Sequence, residues 1–137
     1  MKTTFAPLDK SSVFALREQD GVLVLQLRGE MGSLGWQSRN EASIFEAIEG
    51  VVEPRVVVDL SDVTYGGSEL MAFLFRLRRK LRARGGRVAL AGAKGNLRVV
   101  LRVVRLDRLV GLYSSVKTAA AALAGSMTND SASVVDD

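Results

Sequence analysis

The segment Arg55–Ala91 constrains this chain more than any other. An unbroken β-branched run, Val56-Val57-Val58, ends in Asp59-Leu60. A glycine turn, Gly66-Gly67, then presents Ser68. From Ser68 to Arg84, Leu70, Phe73, Leu74, Leu77 and Leu81 recur on one helical stripe. Gly85-Gly86 supplies a C-cap, with Arg82 and Arg84 near the negative end of the helix dipole. A second short apolar run, Arg87–Ala91, follows. Strand, helix and strand in this order form a crossover unit. Two strands joined that way lie parallel in one sheet, with the helix packed on its face. A run that is apolar at every position belongs to a strand covered on both faces.

The rest of the chain fits around this unit. Val13–Arg17 and Val22–Arg28 alternate apolar and polar residues on either side of Asp20-Gly21, which predicts an antiparallel hairpin. Gly29–Gly35 is turn-rich. Trp36, Ile44, Phe45 and Ile48 are spaced for a helix over Trp36–Ile48, which Pro54 separates from the next strand. Gly95 or Asn96 opens a further helix through Val104. Leu109–Tyr113 reads as a short strand, and Ser114 or Ser115 caps a last helix through Leu123. The expected fold is therefore α/β: a mixed sheet of four to five strands with about four helices packed on it. Residues 1–11 read as a flexible arm, 12–124 as one domain, and 125–137 as a disordered acidic tail.

Composition narrows the chemistry. Among 137 residues there is no cysteine and no histidine. Disulfides, thiol catalysis and thiolate metal sites are excluded, and so are the usual general base and every Ser-His triad. We therefore expect no enzyme and no cofactor. The N-terminus lacks the apolar core of a signal peptide, and no run approaches the roughly 20 apolar residues of a membrane span. The expected location is cytoplasmic. The net charge of +4 hides an asymmetry: twelve of nineteen Lys and Arg lie between Arg76 and Arg108, with one acid, Asp107. Such a flank suits an acidic protein, nucleic acid or anionic lipid, or is simply a solvated face. No interleaved aromatic ladder accompanies it, so stacking on single-stranded nucleic acid is poorly supported. The acids Asp130, Asp136 and Asp137 of the tail would complement it.

Several motif-like stretches fail on inspection. Gly66-Gly67-Ser68-Glu69-Leu70 lacks the closing glycine of a nucleophile elbow. Gly92-Ala93-Lys94-Gly95-Asn96 lacks the Gly-Lys-Ser/Thr ending of a phosphate loop. Asp59, Asp62 and Thr64 offer too few oxygen ligands for a cation site, and Asp62 is better read as bonding to nearby turn backbone.

Four segments carry a resemblance. Leu25–Met31 (LQLRGEM) is similar to a strand ending in Gly-Glu-Leu. Val56–Tyr65 (VVVDLSDVTY) is similar to a central valine-rich strand followed by Asp-Leu-Ser and Val-Thr-Phe. Ala83–Leu90 (ARGGRVAL) is similar to a helix end, Gly-Gly turn and strand. Val99–Leu112 (VVLRVVRLDRLVGL) is similar to a later helix and its Gly-Leu-Asp-Lys-Leu turn, with Arg105 where a glycine is usual. In this order the segments resemble the STAS domain of sulfate transporters and anti-sigma factor antagonists. The resemblance implies a non-catalytic regulatory protein, active in bacterial transcription signalling. Its partner would be an anti-sigma factor or a serine kinase of that type. It also implies a phosphorylatable serine in an Asp-Ser-Ser-Gly turn. Here the matching turn is Gly67-Ser68-Glu69-Leu70, and only the serine is kept.

Ser68 therefore has two readings: a plain N-cap, or a cap that also accepts phosphate. Glu69 either complements the helix dipole, worth about 0.3–1 kcal/mol, or makes the turn resemble a permanently modified state. Met71 and Phe75, spaced i,i+4 and off the main stripe, form an apolar patch beside Ser68 if the sheet leaves them exposed. The candidate partner-binding residues are Gly66, Gly67, Glu69, Met71, Phe75, Arg76 and Arg79, with Ser68 as phosphoacceptor. The alternatives are a STAS-like scaffold or sensor that works without phosphorylation, and a basic-surface domain for nucleic acid or anionic lipid. A small-molecule or lipid carrier would need an apolar cavity.

Overall fold

The computed structural model describes residues 14–19, 21–30, 38–65 and 68–125. Ten elements follow in order: β1 (Phe14–Gln19), β2 (Val22–Glu30), α1 (Ser38–Glu49), β3 (Arg55–Tyr65), α2 (Ser68–Ala83), β4 (Arg87–Ala91), α3 (Gly95–Val103), α4 (Leu106–Leu109), β5 (Gly111–Tyr113) and α5 (Val116–Gly125). The five strands lie side by side in chain order. β1 and β2 form the antiparallel hairpin, with Gln19 opposite Val22 and Gly21 at φ +81°. All remaining pairs are parallel. This is the α/β mixed sheet expected, with a fifth helix, the single turn α4, added.

Each parallel crossover steps the same way along the sheet. Crossovers of one hand then place every connecting helix on the same face. Residue parity confirms it. Val56, Val58 and Leu60 of β3, with Leu23, Leu25 and Leu27 of β2, pack in one core with residues of α1, α2, α3 and α4. The alternate residues Val57, Ala89 and Ala91 pack with Ala119, Ala120 and Leu123 of α5. β3 is thus apolar on both faces because it is covered on both. The alanines of α5 let its backbone approach the second face closely.

The ends of α2 follow from its sequence. Gly85 takes φ +77°. Its N–H donates to the Arg82 carbonyl at 3.0 Å, and the Gly86 N–H to the Leu81 carbonyl at 2.7 Å. These two bonds form a Schellman cap. α5 is capped by Ser115, whose Oγ accepts from the Thr118 N–H at 3.1 Å.

The structure corrects two of the expected elements. β3 continues through Ser61–Tyr65, beyond the predicted end at Leu60. Asp59 explains the continuation: its Oδ1 accepts from the Ser61 N–H at 3.0 Å and the Ser61 hydroxyl at 2.7 Å. These bonds sit where β2 and β3 lose register, between Gln26–Asp59 and Arg28–Asp62. The polar residues thus occupy an irregularity within the strand. Asp62 accepts from the Gln26 side-chain amide at 2.7 Å. The segment before β5 folds as α4, because Arg105 at φ +64° ends α3 and starts a new turn. The predicted start of α1 at Trp36, the arm, Gly66, Gly67 and the acidic tail lie outside the described residues.

Candidate functional site

The parallel strands β2 and β3 end on the same edge of the sheet, and α2 begins just beyond β3. In open α/β sheets, ligands bind outside the carboxyl ends of the strands. Ser68 is the first residue of α2 and is exposed, as is Glu69. Leu70, fully buried, anchors the turn to the core directly beneath them. The first backbone N–H groups of a helix have no intrahelical acceptor, and the dipole favours negative charge beside them. Glu69 places one carboxylate there.

One turn further on, the expected apolar patch is reduced. Met71 is a core residue, only 8% exposed and packed with the main cluster. α2 lies over the middle of a five-stranded sheet, so its buried stripe is wide enough to include Met71 beside Leu70 and Leu74. Phe75, 38% exposed, remains at the surface.

The cations of α2 divide by partner. Arg76 donates from Nε to Glu41 Oε2 at 2.5 Å and from Nη2 to Glu41 Oε1 at 2.7 Å. The hydrogen bond to Glu41 holds the Arg76 guanidinium above its ordinary pKa; burial acts in the opposite sense. Arg79 is exposed. Lys80 sits 5.0 Å above the Phe45 ring, which stacks on Phe73 at 6.0 Å. Arg78 donates from Nε to the Leu109 carbonyl at 3.3 Å. Burial lowers its pKa, and the charge of Arg82 lowers it further. The basic flank is therefore a set of closely spaced like charges.

Among the described residues no three acidic groups converge. Asp59 is buried in its bonds to Ser61, and Asp62 faces Gln26. An open groove of about 240 Å³ between α1 and α2 is lined by Phe45, Ile48, Leu77 and Leu81. It is smaller than the roughly 300–1,000 Å³ usual for small-molecule sites. It also reaches Ala83 and Arg84, at the opposite end of α2 from Ser68. Among the described residues no helix is long and apolar enough to cross a membrane.

The family profile of the STAS domain matches residues 14–119. The chain belongs to the STAS domain family. An anti-sigma factor antagonist from Mycobacterium paratuberculosis is similar to this STAS domain with a TM-score of 0.69 at 25% identity, over 90% of this chain and 95% of that one. A Thermotoga maritima protein assigned to the anti-sigma factor antagonists reaches a TM-score of 0.74 at 20% identity, over 83% of this chain and 97% of that one. An anti-sigma-factor antagonist domain protein from Planctomyces limnophilus reaches 0.67 at 21% identity, over 80% and 96%. At these lower identities the last two speak for the fold alone. No curated protein sequence matches significantly.

Two features of this STAS domain escaped the sequence. Glu41 and Arg76 are 35 residues apart, with no local pattern to pair them. The left-handed backbone of Arg105 carried a signal: a glycine is usual at that place in the resembling motif.

Proposed function

We propose that this STAS domain is a regulatory protein-binding module of the anti-sigma factor antagonist type. It works without catalytic chemistry of its own. It docks the start of α2, with Gly66, Gly67, Ser68, Glu69, Phe75 and Arg79, against an anti-sigma factor or a serine kinase of that type. Arg76 lies at the edge of the docking face, its guanidinium already held by Glu41. The observation that carries this reading is the exposed Ser68 hydroxyl at the first turn of α2, just beyond the central strand.

Phosphorylation of Ser68 is the switch in this reading. The partner kinase moves the γ-phosphoryl group of ATP to Ser68 Oγ, releases ADP, and takes the hydroxyl proton on its own base. The nucleotide belongs to the kinase. The product places up to two negative charges at the positive end of α2, where backbone N–H groups favour them and Glu69 opposes them. The changed charge alters the docking face directly, without a change of fold.

Intact-mass measurement after incubation with an anti-sigma-type kinase and ATP tests the switch. One added phosphate that disappears in Ser68→Ala supports it. No phosphate, with a kinase active on another substrate, leaves a phosphorylation-independent scaffold. Binding to the anti-sigma partner, measured in parallel with Glu69→Lys and Phe75→Ala, tests the docking face separately.

A further inference from the structure

The outer surface of α3 and α4 combines exposed aliphatic side chains with arginines. The buried side of α3 is supplied by Leu101, with Leu97 and Val100 packed against the same core. Val99 and Val103, one helical turn apart, point outward and are 57% and 72% exposed. Arg102, three residues after Val99, borders them on that face and is exposed. At the end of α3, Arg105 is held at φ +64°, a left-handed conformation that glycine would adopt without strain. Arg108 and Leu109 continue the exposed surface on α4. Arg78 reaches the same corner through the Leu109 carbonyl.

We propose that this corner is a docking surface for an anionic lipid bilayer. Two properties select that partner. The charge is one-sided: from Gly95 to Leu109 the only acid is Asp107. The cations alternate with aliphatic side chains and with almost no other polar groups, Asn96 being the one uncharged amide. Phosphate headgroups meet the arginines while the hydrocarbon just beneath takes Val99, Val103 and Leu109. A nucleic-acid backbone offers phosphate but nothing for exposed valines, and this corner carries no aromatic ring for bases to stack on. A fluid headgroup layer also demands no fixed hydrogen-bond geometry, which suits arginines spread over two short helices. The contact is reversible, because a few aliphatic side chains and a basic patch fall far short of a membrane span.

The test is co-sedimentation of the full chain with phosphatidylcholine vesicles containing about one third phosphatidylglycerol, at about 0.1 M salt, against pure phosphatidylcholine. Binding is expected to the anionic vesicles only, and to be lost at high salt. Arg105→Gly removes one cation and relieves the left-handed strain, and an unfolding curve on the same sample separates lost binding from lost fold. This variant should weaken binding about fivefold. Val99→Ser with Val103→Ser changes only exposed side chains and should weaken it about tenfold. Failure to bind anionic vesicles overturns the proposal. So does undiminished binding by the double serine variant, which would mark the corner as a general polyanion surface. Duplex DNA bound equally by parent and double serine variant, and displacing the vesicles, would overturn it in the same way.

Discussion

Arg76 on α2 grips Glu41 on α1 through two parallel hydrogen bonds, of 2.5 and 2.7 Å. The pair spans the two helices that flank the candidate docking edge. Glu41 is largely covered, at 14% side-chain exposure, while Arg76 keeps 42%. Arg76 is thus a structural clasp with one side still in water. Arg79, three residues further along α2 and exposed, is the cation of α2 better placed to meet a partner.

The clasp should contribute modestly to stability. A bidentate Arg–carboxylate pair has good geometry, but water screens the exposed side. A double-mutant cycle with Glu41→Ala and Arg76→Ala, read by urea denaturation, should return a coupling of about 0.5–1 kcal/mol. The coupling should shrink at high salt. A coupling near zero would mean that the helices are aligned by their apolar contacts alone.

Local chemistry made much of this fold legible. The hairpin, the apolar β3, the stripe of α2 and the Gly85-Gly86 cap each follow from a few neighbouring residues. What stayed hidden depends on tertiary context. Spacing along α2 leaves Met71 open between core and surface, because the width of the buried stripe depends on the sheet beneath it, and here that sheet buries Met71. Ser61 and Asp62 looked like a turn because polar residues usually end a strand; Asp59 instead folds its carboxylate onto Ser61 inside β3. The break between α3 and α4 has one local mark, Arg105 standing where the resembling motif has a glycine, and an arginine side chain does not by itself announce a left-handed backbone. At the candidate site, Ser68 and Glu69 were placed correctly at the helix start. The Glu41 partner of Arg76 could be found only once α1 and α2 lay side by side.

Gly86 is the most sensitive turn position. A Cβ there would lie 2.1 Å from the Pro54 carbonyl oxygen, closer than any non-bonded approach allows. The Arg87 N–H donates to that same oxygen at 2.9 Å, so the backbone cannot retreat without breaking the first link between β4 and the loop before β3. Gly86→Ala should cost about 3 kcal/mol or more and reduce soluble yield. Gly50→Ala is the control: a Cβ there meets nothing within 4 Å, and stability should change by less than about 1 kcal/mol.

Arg105 offers the opposite case. A non-glycine residue in the left-handed region costs about 1–2 kcal/mol, and glycine gives back about 0.4–1 kcal/mol through the freedom of its unfolded chain. Arg105→Gly should therefore hold or raise the melting temperature by up to a few degrees. Arg105→Val, β-branched and strained at φ +64°, should lower it. A loss of stability in the glycine variant would show that the arginine side chain makes a contact worth more than its backbone strain.

Met71 and Phe75 lie one turn apart on α2, yet they should separate stability from binding. Met71 is enclosed with Leu70 and Leu74, so Met71→Ala opens a cavity and should destabilise the domain by about 2–3 kcal/mol. Any effect of that variant on partner binding should vanish when the comparison is corrected for the folded fraction. Phe75 is partly in water, and Phe75→Ala should cost roughly 1 kcal/mol or less of stability. An exposed aromatic side chain on a docking face is, by contrast, a common anchor, and its truncation should weaken partner binding by at least about fivefold. Calorimetric titration of both variants, with unfolding curves on the same samples, checks the split. If Phe75→Ala binds as the parent does while Glu69→Lys does not, the docking face stops at the first turn of α2 and the second turn only supports it.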